Sequence, residues 1–219
     1  MIIKIPDITI IDYGINNLKS VSKAFERLGK DYWITDHPDD IMVAKCLVLP
    51  GIGAFGDGMK ELKKRNLIDI IKKKANDGTP LLGICLGMQM LFTESEEFGL
   101  HTGLDLITGA VVSFKYPVEV DIPGYKVPHI GWNSLKRSTV SWNNSMLKYI
   151  NEGDEVYFVH SFFPVVKNNS HILANTTYGN QQFCSVVKKG NIMGTQFHPE
   201  KSGEVGLKIL KAFCEVNNI

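Results

Sequence analysis

The chain has 219 residues, of which 44% are hydrophobic and 21% are charged. This length is enough for one substantial hydrophobic core and does not require two, so we expect a single domain over residues 1–219. Lysine and arginine together number 24 against 23 aspartates and glutamates. The resulting net charge of +1 gives no long-range field to attract nucleic acid or acidic lipid, so we expect neither a nucleic-acid nor a membrane partner.

The lengths of the apolar runs and the spacing of the cysteines exclude further classes of protein. No apolar run approaches the roughly 18 to 20 residues that a membrane-spanning helix needs. The opening residues, MIIKIPDITIIDYG, lack the basic and long apolar regions of a secretion signal. The cysteines are widely separated and include no C-x-x-C pair, so we expect no zinc site and no disulfide framework. A cytoplasmic location without a metal or a cofactor is therefore expected. The cysteines are Cys46, Cys85, Cys184 and Cys214.

The first half of the chain alternates short apolar runs with segments of helical period. This pattern is typical of an open, mostly parallel sheet covered by helices. Strands are predicted at residues 8–13, 31–35, 46–49 and 80–84. Residues 17–28 have apolar side chains on one helical face, a lysine-rich helical stretch ends near Gly78, and another helix is expected directly after Cys85.

Beyond Gly109 the pattern changes to short β-rich pieces. These are AVVSF, HIGWNSL, EVYFVHSF, HILANTTY and CSVVKKGNIMGTQF, followed by a last helix over residues 203–216. We predict an α/β fold with a mostly parallel sheet, helices on both faces, and antiparallel strands added in the C-terminal half.

Residues 83–87 (GICLG) place Cys85 in a G-x-nucleophile-x-G pattern. This pattern is typical of a sharp strand-to-helix turn that presents one side chain at the end of a sheet. Glycines are needed there because neighbouring elements pass close to the backbone. A thiol at the start of a helix also lies near the positive end of the helix dipole, which favours the thiolate. We predict that Cys85 is a nucleophile, whereas the other three cysteines are predicted to be small buried residues.

A nucleophile that attacks an acyl group builds negative charge on the substrate oxygen, which requires hydrogen-bond donors. The backbone N–H of Leu86 is one candidate. The second is expected from another loop, and the glycine-rich turn over residues 50–55 (PGIGAF) also follows a strand. An ordinary strand-to-helix loop is an equal interpretation of this turn by itself.

The segment GTQFHPE supplies an imidazole and a carboxylate. A thiol needs a nearby base, and the base needs a fixed tautomer. His198 and Glu200 are two residues apart in a stretch that Pro199 keeps from being helical, so both side chains can lie on one side of the chain. We predict that His198 is the base and Glu200 its orienting acid. The other histidines are expected at the surface (His37, His101, His171) or as hydrogen-bonded interior residues (His129, His160).

Together, PGIGAF, LLGICLGMQ and GTQFHPEKS resemble the signature of the class I glutamine amidotransferase family, whose triad is Cys, His and Glu in that chain order. The match covers essentially the whole chain. The stretches DYGINNLKSV, KVPHIGWNSL, YFVHSFF and FHPEKSGEVGLKIL resemble more closely the glutaminase subunits of imidazole glycerol phosphate synthases, which act in histidine biosynthesis. The resemblance implies a single amidotransferase domain with a flavodoxin-like sheet, and a glutamine site near Cys85 at the C-terminal edge of that sheet.

The resemblance also implies roles for individual positions. Gly53, Gln89, Ser161 and Phe162 would bind L-glutamine. The donor turn at Ile52 and Gly53 is expected to be poorly formed until a synthase subunit binds, so the free chain would hydrolyse glutamine slowly.

A protein partner is also expected from the chemistry. Ammonia released into water is soon protonated, and nothing in the sequence resembles a second domain with an acceptor site. The resemblance implies a heterodimer with a (β/α)8 barrel synthase (cyclase) subunit, through which the ammonia passes. It places Asn17, Trp132, Asn133 and Lys201 near the interface.

One stretch departs from the family pattern, and three alternatives stay open. Family members usually read Y-G-x-G-N near the first strand, whereas residues 13–17 read YGINN, and asparagine adopts positive φ less freely than glycine. The glutaminase could instead serve a paralogous synthase that aminates a surface-polysaccharide sugar. The intact Cys85, His198 and Glu200 argue against an inactive regulatory or interaction subunit. The pairing of CLGMQ with HPEKS argues against a cysteine peptidase or thiol stress protein on a similar sheet.

Overall fold

The computed structural model describes residues 4–14, 17–114 and 126–219. Residues 15 and 16 of the YGINN stretch therefore lie outside the described residues. The strands, in chain order, are β1 Ile8–Ile11, β2 Tyr32–Thr35, β3 Leu47–Gly51, β4 Leu81–Cys85, β5 Phe92–Ser95, β6 His101–Thr102, β7 Ile107–Ser113, β8 His129–Ser134, β9 Lys136–Arg137, β10 Glu155–His160, β11 Phe162–Val166, β12 Ile172–Tyr178, β13 Gln181–Lys189 and β14 Ile192–Thr195. The α-helices are α1 Leu18–Arg27, α2 Pro38–Val43, α3 Phe55–Lys64, α4 Ile68–Asn76, α5 Leu86–Met90 and α6 Gly203–Val216.

An eight-stranded sheet organises the molecule, in the order β2-β1-β3-β4-β14-β13-β12-β9. Its first five strands are mutually parallel, and the last three continue it in antiparallel pairing. Parallel strands are buried on both faces, and β1, β3, β4 and β14 accordingly read as short runs without exposed residues. The predicted α/β architecture with a mostly parallel sheet and added antiparallel strands is confirmed.

Helices cover both faces of this sheet. On one face α1 and α6 pack against alternate strand residues such as Ile10 and Val48, and the cluster includes Phe25 and Phe213. On the other face α2 to α5 pack against the intervening residues, for example Leu49. Since successive side chains of a strand point to opposite faces, each central strand contributes to both cores.

Two smaller sheets complete the fold. The strands β8 and β10 form an antiparallel pair, and β11, β7, β5 and β6 form a four-stranded sheet in that order. Within the latter, β7 was predicted as an antiparallel piece but pairs in parallel with β5, a strand that was not predicted. β14 was also predicted among the antiparallel pieces, but it pairs in parallel with β4 and thereby joins the central strands.

Most predicted elements are found within one or two residues of their predicted bounds. The lysine-rich helical stretch differs, because it divides into α3 and α4 around Asn66, whose φ of 56° cannot continue a right-handed helix. The short α2 was not predicted. No helix among the described residues is long and apolar enough to span a membrane.

The topology brings three strand ends together. β3, β4 and β14 are adjacent and parallel, and Gly51 lies opposite Cys85 while Thr195 lies opposite Ile84. The segments that leave these strands are the glycine-rich turn, the Cys85 turn and the segment that leads to His198. Residues distant in sequence therefore meet at the C-terminal edge of the sheet, where ligands bind in open α/β folds.

Candidate active site

Cys85 is the last residue of β4 and has φ 54° and ψ −111°. A positive φ is rare for a residue with a side chain and is found mainly where the surroundings enforce it. A Cβ on Gly87 would lie 1.7 Å from the carbonyl oxygen of Leu49, and one on Gly83 would lie 2.8 Å from the Gly87 carbonyl. Both glycines are therefore required by close backbone contacts, and the turn between them directs the thiol away from the sheet.

The Cys85 sulfur is buried and makes two hydrogen bonds to other described residues. Its Sγ is 3.9 Å from the carbonyl oxygen of Val159, to which the thiol donates, and the side-chain amide of Gln196 donates to it from 3.8 Å. Only 6% of the residue is exposed. The other cysteines are also free and buried, as predicted.

His198 and Glu200 form a buried pair in the segment after β14. The ring Nδ1 lies 2.7 Å from Glu200 Oε1, and each side chain is 1% exposed. The segment is fixed to β10, since His198 N–H donates to the Tyr157 carbonyl and Tyr157 N–H donates to Ser202 Oγ. The Ser202 hydroxyl in turn donates to the His198 carbonyl at 2.7 Å. The imidazole is therefore held at its backbone and at one ring nitrogen.

The protonated form of this ring is stabilised by its neighbours. Burial opposes the charge, but the interactions with the Cys85 thiol and the Glu200 carboxylate outweigh it and raise the pKa of His198 to about 10. With Nδ1 bound to Glu200, Nε2 has no hydrogen-bond partner within the described residues. That nitrogen is free to exchange a proton with the thiol.

A cavity of about 450 Å³ contains Cys85 and His198. It is lined by Ile52, Gly53, Ala54, Cys85, Leu86, Gln89, Glu97, Phe98, Pro128, Val159, His160, Ser161, Phe162 and His198. Every residue predicted to bind glutamine or to donate to the oxyanion is in this set. Two larger clefts, of about 710 and 570 Å³, contain neither Cys85 nor His198.

Gln89 is buried and its amide group is already committed within the protein. Its Nε2 donates to the Phe162 carbonyl at 2.8 Å and to Gln196 Oε1 at 3.1 Å. Both N–H bonds are used, so its carbonyl oxygen is what remains for a ligand. Gln89 can therefore accept a hydrogen bond from a bound molecule but cannot donate one.

Glu97 lines the cavity and was not predicted from the sequence. Its Oε2 accepts the backbone N–H of Phe55 at 2.7 Å, at the start of α3. Burial raises the pKa of this carboxyl group, and the Phe55 N–H opposes the rise. Among the lining residues Glu97 is the one with a carboxylate. Its place depends on the turn after β5 folding beside α3, which no local sequence pattern indicates.

The glycine-rich turn lies beside the thiol. Gly51 is paired with Cys85 at the end of β3, Gly53 has φ 91°, and Ile52 is 43% exposed. A positive φ at Gly53 lets the turn approach the cavity without a side chain in the way. Whether the turn needs a partner to become an oxyanion site stays a prediction.

Two of the four residues predicted at a partner interface are exposed. Trp132 is 54% exposed on β8, and Lys201 is exposed in the short helical turn after His198. Asn17 lies at the start of α1, where its Nδ2 donates to Glu200 Oε1 at 3.4 Å. Asn133 has its side chain on the inner face of β8 and donates to the Thr177 carbonyl at 2.9 Å.

His129 and His160 are buried and hydrogen-bonded to each other, as predicted for interior histidines. His129 Nδ1 and His160 Nε2 are 3.1 Å apart, and His160 Nδ1 is 2.9 Å from the Phe162 carbonyl. Burial lowers the pKa of His129 to about 4 and that of His160 to about 3. Both rings are therefore neutral near pH 7.

Comparison with known proteins identifies the family. The model of the family described as glutamine amidotransferase class-I matches residues 9–216. The chain belongs to the class I glutamine amidotransferase family. As a member of this family it is an enzyme, and the family resemblance inferred from its motifs is confirmed.

Curated relatives of this amidotransferase share about half of its residues. It is 48% identical over 211 residues to imidazole glycerol phosphate synthase subunit HisH 1 of Legionella pneumophila (strain Paris), a match that covers 95% of this chain and 99% of the relative. It is 50% identical over 209 residues to subunit HisH of Geobacillus sp. (strain WCH70), covering 95% and 96% respectively.

Solved structures support the fold of this amidotransferase. A glutamine amidotransferase crystal structure superposes with a TM-score of 0.71 at 18% identity, covering 97% of this chain and all of that one (100%). PurLQS from Thermotoga maritima superposes with a TM-score of 0.67 at 18% identity, covering 97% and 99%. The class I amidotransferase fold implied by the motifs is therefore confirmed.

Proposed function

We propose that this chain is the glutaminase subunit of an imidazole glycerol phosphate synthase in histidine biosynthesis. It hydrolyses L-glutamine to glutamate and ammonia and passes the ammonia to a (β/α)8 barrel synthase subunit. The names of the relatives at 48% and 50% identity support the pathway. The observation that carries the chemistry is the His198–Glu200 pair, joined at 2.7 Å, beside the same cavity as the Cys85 thiol.

In the first half of the reaction Cys85 is the nucleophile and His198 Nε2 takes the thiol proton. The thiolate attacks the side-chain amide carbon of glutamine, a carbon–sulfur bond forms, and the carbonyl π electrons move to oxygen. The backbone N–H groups of Leu86 and of the turn at Ile52 and Gly53 stabilise that negative oxygen. Glu200 keeps Nδ1 protonated, so that Nε2 is the nitrogen available to the thiol.

In the second half the intermediate collapses to a thioester. The oxygen electron pair re-forms the carbonyl, the carbon–nitrogen bond breaks, and His198 gives its proton to the departing ammonia. Water then attacks the thioester with His198 again as base, and glutamate leaves with the Cys85 thiol restored. The raised pKa of His198, to about 10, suits a group that must hold this proton between the two steps.

Substrate recognition requires groups for both charged ends of glutamine. We propose that the Glu97 carboxylate and the Gln89 carbonyl oxygen bind its α-ammonium group, because both are acceptors that face the cavity. Gly53, Ser161 and Phe162 complete the binding site, with backbone N–H groups as the donors for the α-carboxylate. The Glu97 carboxylate is half-buried, and a bound ammonium group would offset the cost of its partial loss of water.

The partner surface is proposed on the outer face of the β8–β10 pair. Ile130 and Trp132 are 59% and 54% exposed, and their strand neighbours Val159 and Tyr157 lie opposite them. Val159 also lines the cavity of Cys85, so this apolar face continues into the site. A barrel subunit docked here, with Asn17 and Lys201 at the border and Asn133 supporting β8 from behind, would receive ammonia without release into water.

Cys85→Ser tests the proposal, with Cys184→Ser as the matched control. Both cysteines are buried and free, but Cys184 lies away from the cavity. Glutamate formation should fall to background in Cys85→Ser and stay near the wild-type rate in the control. Labelling by diazo-oxo-norleucine should follow the same pattern. Full glutaminase activity in folded Cys85→Ser would exclude the proposed nucleophile.

The barrel subunit provides the second part of the test. Mixing the chain with a (β/α)8 synthase subunit and its nucleotide substrate should raise the rate of glutamate formation and yield a stable heterodimer. The pathway assignment would be refuted if the barrel subunit failed to bind while glutaminase activity was intact.

A further inference from the structure

Gln196 is a fully buried residue that contacts the reacting sulfur. It follows β14 directly, and its backbone N–H donates to the Ser185 carbonyl at 2.9 Å. Its side-chain Nε2 lies 3.8 Å from Cys85 Sγ, within hydrogen-bond range for sulfur. It is 0% exposed, and it lies two residues before His198 on the same segment. No sequence motif singled out this residue.

The orientation of this amide is determined by Gln89. Gln196 Oε1 accepts an N–H of Gln89 at 3.1 Å, so its NH₂ group faces the sulfur. Gln89 cannot turn away, because its second N–H is bound to the Phe162 carbonyl at 2.8 Å. The Val159 carbonyl at 3.9 Å can accept only from the thiol, whereas the Gln196 N–H is the contact that strengthens when the sulfur carries a negative charge.

The far end of this chain of hydrogen bonds is also fixed. The Phe162 carbonyl can only accept, so the His160 Nδ1 at 2.9 Å must carry a proton. Since the His160 ring is neutral, its Nε2 is then an acceptor, and the His129 Nδ1 at 3.1 Å must donate to it. One tautomer is therefore selected at each ring, and the Phe162 oxygen that holds Gln89 has a set position.

We propose that Gln196 is a further catalytic residue, whose side-chain N–H donates to the Cys85 sulfur, stabilises the thiolate and holds it for attack. The proton that leaves the thiol goes to His198 Nε2, and Gln196 keeps its own protons throughout. When the carbon–sulfur bond forms, the sulfur loses its negative charge and this hydrogen bond weakens. The inference rests on the proposed glutaminase function for its role in turnover, but its effect on the thiolate does not require turnover.

Two substitutions separate this role from simple packing. Gln196→Glu has the same shape and keeps an acceptor for Gln89, but it replaces the N–H that faces the sulfur by oxygen. Gln196→Met is of similar length and removes the donor without adding charge. Ser185→Ala is the matched control, because Ser185 is a buried neighbour of the Gln196 backbone whose hydroxyl has no partner among the described residues.

The primary measurement is the rate of Cys85 alkylation by iodoacetamide as a function of pH, in the isolated chain. The pH at half-maximal rate should move up by about one unit in both Gln196 variants, which is a tenfold loss of thiolate at a given pH. The control should match the wild type. A midpoint unchanged in both folded variants would overturn the proposal, and a lowered melting temperature alone would identify a packing role.

Steady-state kinetics give the second readout. We expect kcat for glutamate formation to fall roughly tenfold or more, with KM for glutamine changed less than about threefold, since Gln196 acts on the nucleophile and not on the substrate. A rise in KM with constant kcat would overturn the role. Absence of glutaminase activity in the wild type would refute the proposed function, whereas the alkylation midpoints would still decide the role of Gln196.

Discussion

His198 Nδ1 and Glu200 Oε1 lie 2.7 Å apart, although the chain between the two residues contains only Pro199. Both side chains are 1% exposed, so water cannot replace this contact. The carboxylate therefore has two effects on the ring: it selects the Nδ1–H tautomer, and it stabilises the positive charge that develops when the thiol loses its proton.

Glu200→Gln should show whether the ring depends on the charge and hydrogen bonding of this carboxylate or only on its size and shape. The amide has the size of the carboxylate but can present an N–H to Nδ1, which would favour the wrong tautomer. We expect kcat for glutamate formation to fall roughly 10²- to 10⁴-fold, with a smaller change in KM. Glu204→Gln, in the first turn of α6, is the control and should retain the wild-type rate. Retention of most activity in folded Glu200→Gln would show that the ring needs no carboxylate.

Glu97 and Glu96 are adjacent in sequence but differ in surroundings. Glu97 faces the cavity, whereas Glu96 accepts the backbone N–H of Ser113 at 2.9 Å and does not line it. If Glu97 binds the α-ammonium group of glutamine, Glu97→Gln should raise KM roughly 10- to 100-fold, which is the effect of losing one charge-assisted hydrogen bond. Glu96→Gln should leave KM unchanged. Equal KM values for the two variants would exclude Glu97 from substrate recognition.

The buried histidine pair predicts acid lability. In the unfolded chain these rings take up protons near pH 6.5, whereas the native pKa values are about 4 for His129 and about 3 for His160. Below about pH 6.5 the unfolded state binds more protons, so stability is fully present above that pH and is lost as pH falls. Between about pH 6.5 and pH 5 the loss should be roughly 1.5 kcal/mol for each ring.

The comparison removes the contribution of other groups that titrate near this window. Burial lowers the pKa of His171 and raises that of Glu97, but both residues are present in the wild type and in the variant, so their contributions cancel. The pKa of His198 is raised, so its contribution is fully present below about pH 6.5 and is lost as pH rises from there toward 10. Asp31, Glu61 and Glu215 have lowered pKa values, so their contributions are lost mainly below pH 4.5. Urea unfolding of the wild type and of a His129→Gln, His160→Gln double variant should show a flatter pH dependence in the variant. Parallel pH dependence in the two proteins would contradict the assignment.

Local patterns were sufficient to locate the elements that carry the proposed nucleophile and base. Apolar runs located the central strands. The GICLG motif located the turn that presents Cys85, because its two glycines are required by close backbone contacts. His198 and Glu200 were found because they are neighbours in sequence. These inferences depend on residues within one short segment, so a sequence is enough to make them.

Contacts between distant segments could not be predicted in this way. Glu97 reaches the cavity because the turn after β5 packs against the start of α3, and Gln196 reaches Cys85 because β14 pairs with β4 from the other end of the chain. The parallel pairing of β14 was missed for the same reason, since an apolar run does not specify its neighbour. The chain breaks between α3 and α4 because Asn66 adopts a positive φ, and the lysine-rich pattern does not indicate this.

Trp132 provides the test of the proposed partner surface. It is a large aromatic side chain, 54% exposed, at the centre of the outer face of β8 and β10, and aromatic residues in such positions commonly dominate binding energy. Trp132→Ala should weaken binding of the barrel subunit roughly 30-fold or more, a loss of about 2 kcal/mol, as measured by titration calorimetry. Ile34→Ala, at an exposed apolar residue on the edge strand β2, should not affect binding.

Glutaminase activity gives a second measurement of the same surface. Because Trp132 does not line the cavity, basal activity should be unchanged in both variants. Activity stimulated by the partner at limiting barrel concentration should fall in Trp132→Ala alone. Equal affinity of the two variants for the barrel would place the interface on another face of the molecule.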